Sequence, residues 1–144
     1  DIPAIRGETI RHFVEDMVSS NASLAVIGMN VANPFGYGRL VTGQDHAVRK
    51  IVEQTETDEA TARISLCNTG VIGARTQILF DLLSQLENGN KKKEYYLTDC
   101  FAIAYRRGLP GQVFLADDAE EFQGINDPEQ LAMVANILTK RGIK

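Results

Sequence analysis

The sequence predicts one α/β domain built on a mixed sheet. Three observations carry that reading. Apolar residues recur at helical spacing in some stretches and form short continuous or alternating runs in others. Clusters of Gly, Asn, Asp and Pro punctuate the change from one pattern to the next. The 144 residues, 44% hydrophobic and 24% charged, have the makeup of an ordinary globular domain, without repeats or low-complexity tracts.

Residues 7–20 predict a helix, with Thr9 as its N-cap and Ile10, Phe13, Val14, Met17 and Val18 on one apolar face. Residues 23–29 form a continuous apolar run, the pattern of a strand buried on both faces. A loop rich in Asn, Pro and Gly follows over 30–38. Residues 39–41 and 48–52 flank Thr42-Gly-Gln-Asp-His46 and predict a hairpin. Residues 57–62 suggest a short capped helix, and 64–71 return to strand. Helices are expected over 78–86, with Ile78, Leu79, Leu82, Leu83 and Leu86 inward, and over 96–105, with Leu97, Phe101 and Ala104 inward. A strand spans 111–115, and a last helix runs to about Lys140 with Asp127 as N-cap and Pro128 at its first position.

Charge narrows the partners. Fifteen Lys and Arg stand against nineteen Asp and Glu, a net charge of −4, so neither a nucleic-acid surface nor a polybasic membrane anchor is expected. No apolar run approaches the ~18 residues that a membrane helix needs. Cys67 and Cys100 stand alone in apolar contexts, which predicts free thiols in a reducing cytoplasm. The chain begins with Asp1 rather than Met, in Asp-Ile-Pro-Ala-Ile5, which reads as the end of a strand and suggests that the natural chain continues upstream.

Several segments are candidates for chemistry. Gly36-Tyr-Gly38-Arg39 can let backbone approach a ligand, or can be a plain tight turn. Asn68-Thr-Gly70 interrupts an apolar strand, which fits an amide turned into a cleft or a bulge. Glu53 closes a strand, where a carboxylate can accept bonds from substrate hydroxyls or can simply be solvated. Glu94-Tyr-Tyr-Leu-Thr-Asp99 combines rings and hydroxyls at a helix start, much of it explicable by capping and packing. Asp1 and Asn126 offer a carboxylate and an amide carbonyl, oxygen donors of the kind that Mg²⁺ takes when phosphates and water supply the rest; nothing in the sequence by itself brings the two together. Lys91-Lys92-Lys93 reads as a solvated loop, and His12 and His46 lack partner spacing for metal or triad chemistry.

Taken in order, Asn33-Pro-Phe-Gly-Tyr-Gly-Arg39, Lys50-Ile-Val-Glu53, Asn68-Thr-Gly70, Glu94-Tyr-Tyr-Leu-Thr-Asp99 and Gly124-Ile-Asn126 resemble the sugar-1-phosphate nucleotidyltransferases. Within that family the likeness is to the uridyltransferase domain of bacterial bifunctional N-acetylglucosamine-1-phosphate uridyltransferases. The resemblance implies a Rossmann-like nucleotidyltransferase fold with a mixed sheet, of which residues 1–144 would be the latter, sugar- and metal-binding part, with no β-helix acetyltransferase domain. It implies Mg²⁺ held by Asp1 and Asn126, and a sugar 1-phosphate met by Gly38, Glu53, Asn68, Tyr96 and Thr98. The implied reaction is uridylyl transfer from UTP to N-acetylglucosamine 1-phosphate, giving UDP-N-acetylglucosamine and pyrophosphate. The family's glycine-rich Leu-Ala-Ala-Gly loop would lie before Asp1, so these 144 residues alone are expected to be inactive. Thr55 also stands where the family often has lysine. Two alternatives stay open: another sugar-1-phosphate nucleotidyltransferase, or a non-catalytic sugar-binding or regulatory module. An unpaired sheet edge would let the chain pair with the missing N-terminal half or form a homo-oligomer.

Overall fold

A computed structural model describes residues 2–43, 47–125 and 127–143. Along the chain these form α1 (Gly7–Ser19), β1 (Leu24–Asn30), β2 (Arg39–Thr42), β3 (Val48–Val52), α2 (Glu59–Ala62), β4 (Leu66–Ala74), α3 (Thr76–Leu83), α4 (Asp99–Arg106), β5 (Gln112–Leu115) and α5 (Pro128–Lys140). Short 3₁₀ turns span Gln54–Glu56 and Ala119–Phe122. Among the described residues the strands make one sheet in the order β3-β2-β4-β1-β5. β1 runs antiparallel to β4 and parallel to β5, so the sheet is mixed, as the patterning predicts.

β1 shows why its sequence is apolar without interruption. Leu24 and Val26 face a core shared with Leu40, Val48, Ile51, Leu82, Cys100 and Phe101. Ala25, Ile27 and Met29 face a second core with Phe13, Cys67 and Phe122. A central strand covered on both faces has no solvent side on which to place polar residues. Each large side chain so buried contributes about 1.5–3 kcal/mol of transfer free energy.

Two caps match the sequence reading: the Asp58 carboxylate accepts from the Thr61 N–H at 2.7 Å, and that of Asp127 from the Gln130 N–H at 2.8 Å. Thr9 is not the N-cap of α1. Arg6 occupies that position without a side-chain cap bond, and the Thr9 hydroxyl donates instead to Glu121 at 2.6 Å. On the same helix Val14 and Val18 are exposed, because the face turned to the sheet is narrower than the apolar stripe. β4 continues three residues past its predicted end, and α3 begins at Thr76 and stops at Leu83. The inward set of α3 is as expected, with Leu82 fully buried. In α4, Phe101 and Ala104 are buried but Leu97, just before the helix, is exposed.

The Asn68-Thr-Gly70 interruption is a bulge. Val26 pairs with Ile72 but Gly28 pairs with Asn68, so β4 carries two more residues than β1 across that step. Gly70 takes φ +89° there, a left-handed conformation that glycine adopts without steric cost. Thr69 turns inward and donates to the Ile27 carbonyl at 2.8 Å. Gly28 has its own reason: a Cβ there would meet Val113 at 2.7 Å and Leu40 at 2.8 Å.

Candidate functional site

The β2–β3 hairpin carries two of the candidate residues at its open end. Gly38 immediately precedes β2, and Glu53 immediately follows β3. Antiparallel pairing of Arg39 with Val52 brings them side by side. A Cβ built on Gly38 would lie 3.5 Å from Glu53 Oε2 and 3.6 Å from Asn68 Cβ. The Asn68 N–H donates to the Gly38 carbonyl at 2.8 Å, closing the group from the β4 side. The side-chain carbonyl of Asn68 accepts from the Gly70 N–H at 2.9 Å, which fixes its rotamer within the bulge.

From the other side comes the start of α4. Thr98 is its N-cap residue but makes no side-chain cap bond; its hydroxyl donates to Glu53 Oε1 at 2.8 Å. The two Glu53 oxygens therefore have separate surroundings, Oε1 held by Thr98 and Oε2 facing the bare Cα of Gly38. Tyr96 lies beside them. Its hydroxyl is buried without a hydrogen-bond partner among the described residues, and it lines a cavity of about 280 Å³ together with Lys50, Glu53, Glu56, Asn90 and Asp99. Burial pushes the Asp99 carboxyl above the usual range, and the Glu53 and Glu56 charges push the same way, while Arg106 opposes them. A space bordered by carboxylates, an amide and a buried hydroxyl suits a ligand rich in hydroxyl donors.

The loop before β2 is built by short-range bonds. The Asn33 side chain accepts from the Phe35 N–H at 3.2 Å, the Tyr37 N–H donates to the Pro34 carbonyl at 3.2 Å, and Gly36 takes φ +91°. Sequence reasoning missed two residues beneath it. Arg39 is 2% exposed, within β2, and among the described residues it forms no ion pair. Its guanidinium donates to the Tyr37 carbonyl and, at 2.8 Å, to the Gln54 side-chain carbonyl, which also accepts from the Gly36 N–H at 2.8 Å. The proximity of Gln54 to a glycine-rich loop is set by the hairpin register, which a linear sequence does not display.

Asp1 and Asn126, the Mg²⁺ ligands that the resemblance implies, lie outside the described residues. Gly38, Glu53, Asn68 and Thr98 come together, with Tyr96 at the adjoining cavity. The lysine run is not merely solvated: the Lys91 N–H donates to Glu56 at 3.0 Å and its ammonium to the Thr55 carbonyl, fastening the 88–94 loop to the turn after β3. His12 borders a separate cavity of about 260 Å³ on the α1 face, away from these residues. There the buried Glu121 carboxylate is bonded to Arg6 and Thr9, and Asp118 to Arg6 and Arg141. Cys67 and Cys100 are free and buried, and burial pushes both thiols up, which leaves them unreactive.

No protein-family model matches the chain. The chain is 38% identical over all 144 residues to the bifunctional protein GlmU of Stenotrophomonas maltophilia, of which it spans 31%. It is 38% identical over 141 residues to GlmU of Corynebacterium diphtheriae, spanning 29% of that protein. Against GlmU of Caulobacter vibrioides identity is 42% over 117 residues, 81% of this chain and 25% of the relative. The chain thus covers less than a third of the length of these curated relatives. Among solved structures, a putative glucose-1-phosphate thymidylyltransferase from Bacillus anthracis, in complex with a sucrose, superposes with a TM-score of 0.62 over 89% of this chain and 48% of that one. At 19% identity that likeness establishes the fold. From its first residue to its last the chain resembles one stretch of the GlmU proteins, and its fold is the α/β nucleotidyltransferase fold that the sequence motifs predict.

Proposed function

We propose that these 144 residues are the sugar-binding and metal-binding part of a cytoplasmic nucleotidyltransferase domain that makes UDP-N-acetylglucosamine. The observation that supports this reading is the junction of Gly38, Glu53, Asn68 and Thr98 at the open end of one hairpin, from four separate segments. Glu53 Oε2 accepts from a sugar hydroxyl or the N-acetyl N–H, and the missing Cβ of Gly38 lets the sugar ring lie flat against backbone. Thr98 keeps the carboxylate from rotating, so the acceptor is in place before the sugar arrives. Tyr96 offers its unpartnered hydroxyl to the same ligand.

In the reaction, a phosphate oxygen of the sugar 1-phosphate attacks the α-phosphorus of UTP; the bond to the β-phosphate breaks and pyrophosphate leaves. Asp1, by its carboxylate, and Asn126, by its amide carbonyl, would hold a Mg²⁺ ion, which would supply charge neutralisation on the phosphoryl oxygens. The chain's described residues orient the sugar and supply no nucleophile, as direct displacement requires none. No segment of the 144 residues matches the family's Leu-Ala-Ala-Gly phosphate loop, so this stretch by itself binds the sugar phosphate without turning it over.

Titration of the isotope-labelled chain with N-acetylglucosamine 1-phosphate and MgCl₂ tests the reading. Saturable shifts at Gly38, Asn68 and Thr98, lost in Glu53→Ala, are expected; no binding, or binding indifferent to Glu53→Ala, overturns it. Pyrophosphate release from UTP by the same chain overturns the claim of inactivity.

A further inference from the structure

The buried guanidinium of Arg39 is unusual in having carbonyl oxygens rather than a carboxylate as its partners among the described residues. A buried cation is expected to be paired or densely hydrogen-bonded, because desolvation costs several kcal/mol otherwise. Here one of the two oxygens on which Arg39 rests is the side-chain carbonyl of Gln54, and the same oxygen receives the Gly36 N–H. A carbonyl has two lone pairs, and both are in use. The other oxygen, from Tyr37, belongs to the residue between Gly36 and Gly38. Gln54 and Arg39 thus hold the loop at the Gly36 N–H and at the Tyr37 carbonyl, on the two sides of the turn in which Gly36 takes a φ of +91°. The next carbonyl, that of Gly38, is the acceptor for Asn68.

We infer that Gln54 is a positioning residue: by tying the Gly36 amide to the Arg39 guanidinium it sets where Gly38 stands against Glu53 and Asn68. Gln54 does not face the cavity lined by Glu53 and Tyr96, so it acts through the loop. Gln54→Leu removes the shared acceptor at similar size. Gln54→Glu keeps an acceptor of the same shape and gives Arg39 an opposite charge, so it restores the clasp. The sugar-binding consequence rests on the proposed function; the loop geometry does not.

Amide hydrogen exchange in the ligand-free chain, read residue by residue, tests the inference without any sugar. In Gln54→Leu the Gly36 and Asn68 amides both exchange about fivefold faster, the Asn68 effect reporting displacement of the Gly38 carbonyl, and in Gln54→Glu both return towards the starting rates. Amides of β1 stay unchanged in both variants. Unchanged exchange at Asn68 in Gln54→Leu overturns the positioning role even if Gly36 exchanges faster, since the bond would then be merely local. General acceleration that includes β1 likewise overturns it, since the effect would be on the whole fold. In a second arm, affinity for N-acetylglucosamine 1-phosphate falls about fivefold in Gln54→Leu and is recovered in Gln54→Glu. Failure of the starting chain to bind that sugar phosphate, with the exchange pattern as expected, counts against the proposed function and leaves the Gln54 clasp standing.

Discussion

The Thr98 hydroxyl donates to Glu53 Oε1 at 2.8 Å, joining residues 45 positions apart in sequence. That bond connects the start of α4 to the end of β3 and leaves one oxygen of the carboxylate with an open face. Thr98 is 7% exposed, so its removal is felt on both sides of the contact. Thr98→Val keeps the shape and deletes the donor. It is expected to cost about 2 kcal/mol in urea unfolding, the range for a hydrogen bond to a charged group, and to weaken N-acetylglucosamine 1-phosphate binding measured by calorimetry.

Gly38→Ala separates stability from binding. The added methyl would lie 3.2 Å from Ile51 Cγ2, which a small side-chain shift relieves, and it would occupy the space in front of Glu53 Oε2. Folding stability is expected to stay within about 1 kcal/mol of the starting chain. Sugar phosphate affinity is expected to fall at least about tenfold, or about 1.4 kcal/mol. Paired urea and calorimetric titrations check both.

Gly111→Ala is the contrasting case. Its Cβ would meet the ring of Phe101 at 2.5 Å, and Phe101 is fully buried between the sheet and α4. A core that cannot give way is expected to lose about 1–3 kcal/mol, read as a lower urea midpoint with unchanged slope.

Asp99 gives a pH dependence whose sign follows from its surroundings. Burial first, and the Glu53 charge second, raise its folded pKa above the ordinary 3.8, so the native state holds this proton more tightly than the unfolded chain does. Stability must then fall as pH rises from about the ordinary carboxylate value through the raised one. Asp99→Asn removes that titration. Urea midpoints from pH 3 to pH 7 should show the starting chain losing stability relative to Asp99→Asn as pH rises; a flat difference would count against the assignment.

Much of the fold was legible because local chemistry and burial agree. β1 is apolar at every buried position, and Asp127-Pro128 announces α5 by its cap and its missing N–H. What was hidden depends on register. Thr9 has the identity of an N-cap, but a buried Glu121 more than a hundred residues away offers its hydroxyl a stronger acceptor. Thr98 likewise forgoes its own helix for Glu53. Capping residues carry one hydroxyl, and the sequence does not say which acceptor will be near. At the candidate site, Gly38, Glu53 and Asn68 stood out by type, whereas Arg39 entered only as the end of the Gly36-Tyr-Gly38-Arg39 segment and Gln54 carried no signal of its own. Only the pairing of β2 with β3 and β4 puts the one beneath the loop and the other against Gly36.

Among the described residues the hairpin itself meets the rest of the sheet at two isolated places, Arg39 opposite Cys67 at its open end and Val48 opposite Gly111 at the start of β3. It lies like a plank on two piers, and the group around Gly38 and Glu53 sits over the first of them. The Gly43 N–H donates to the Ala47 carbonyl at 2.8 Å beyond the second pier, so a change of length between those two residues is expected to leave the loaded end in place.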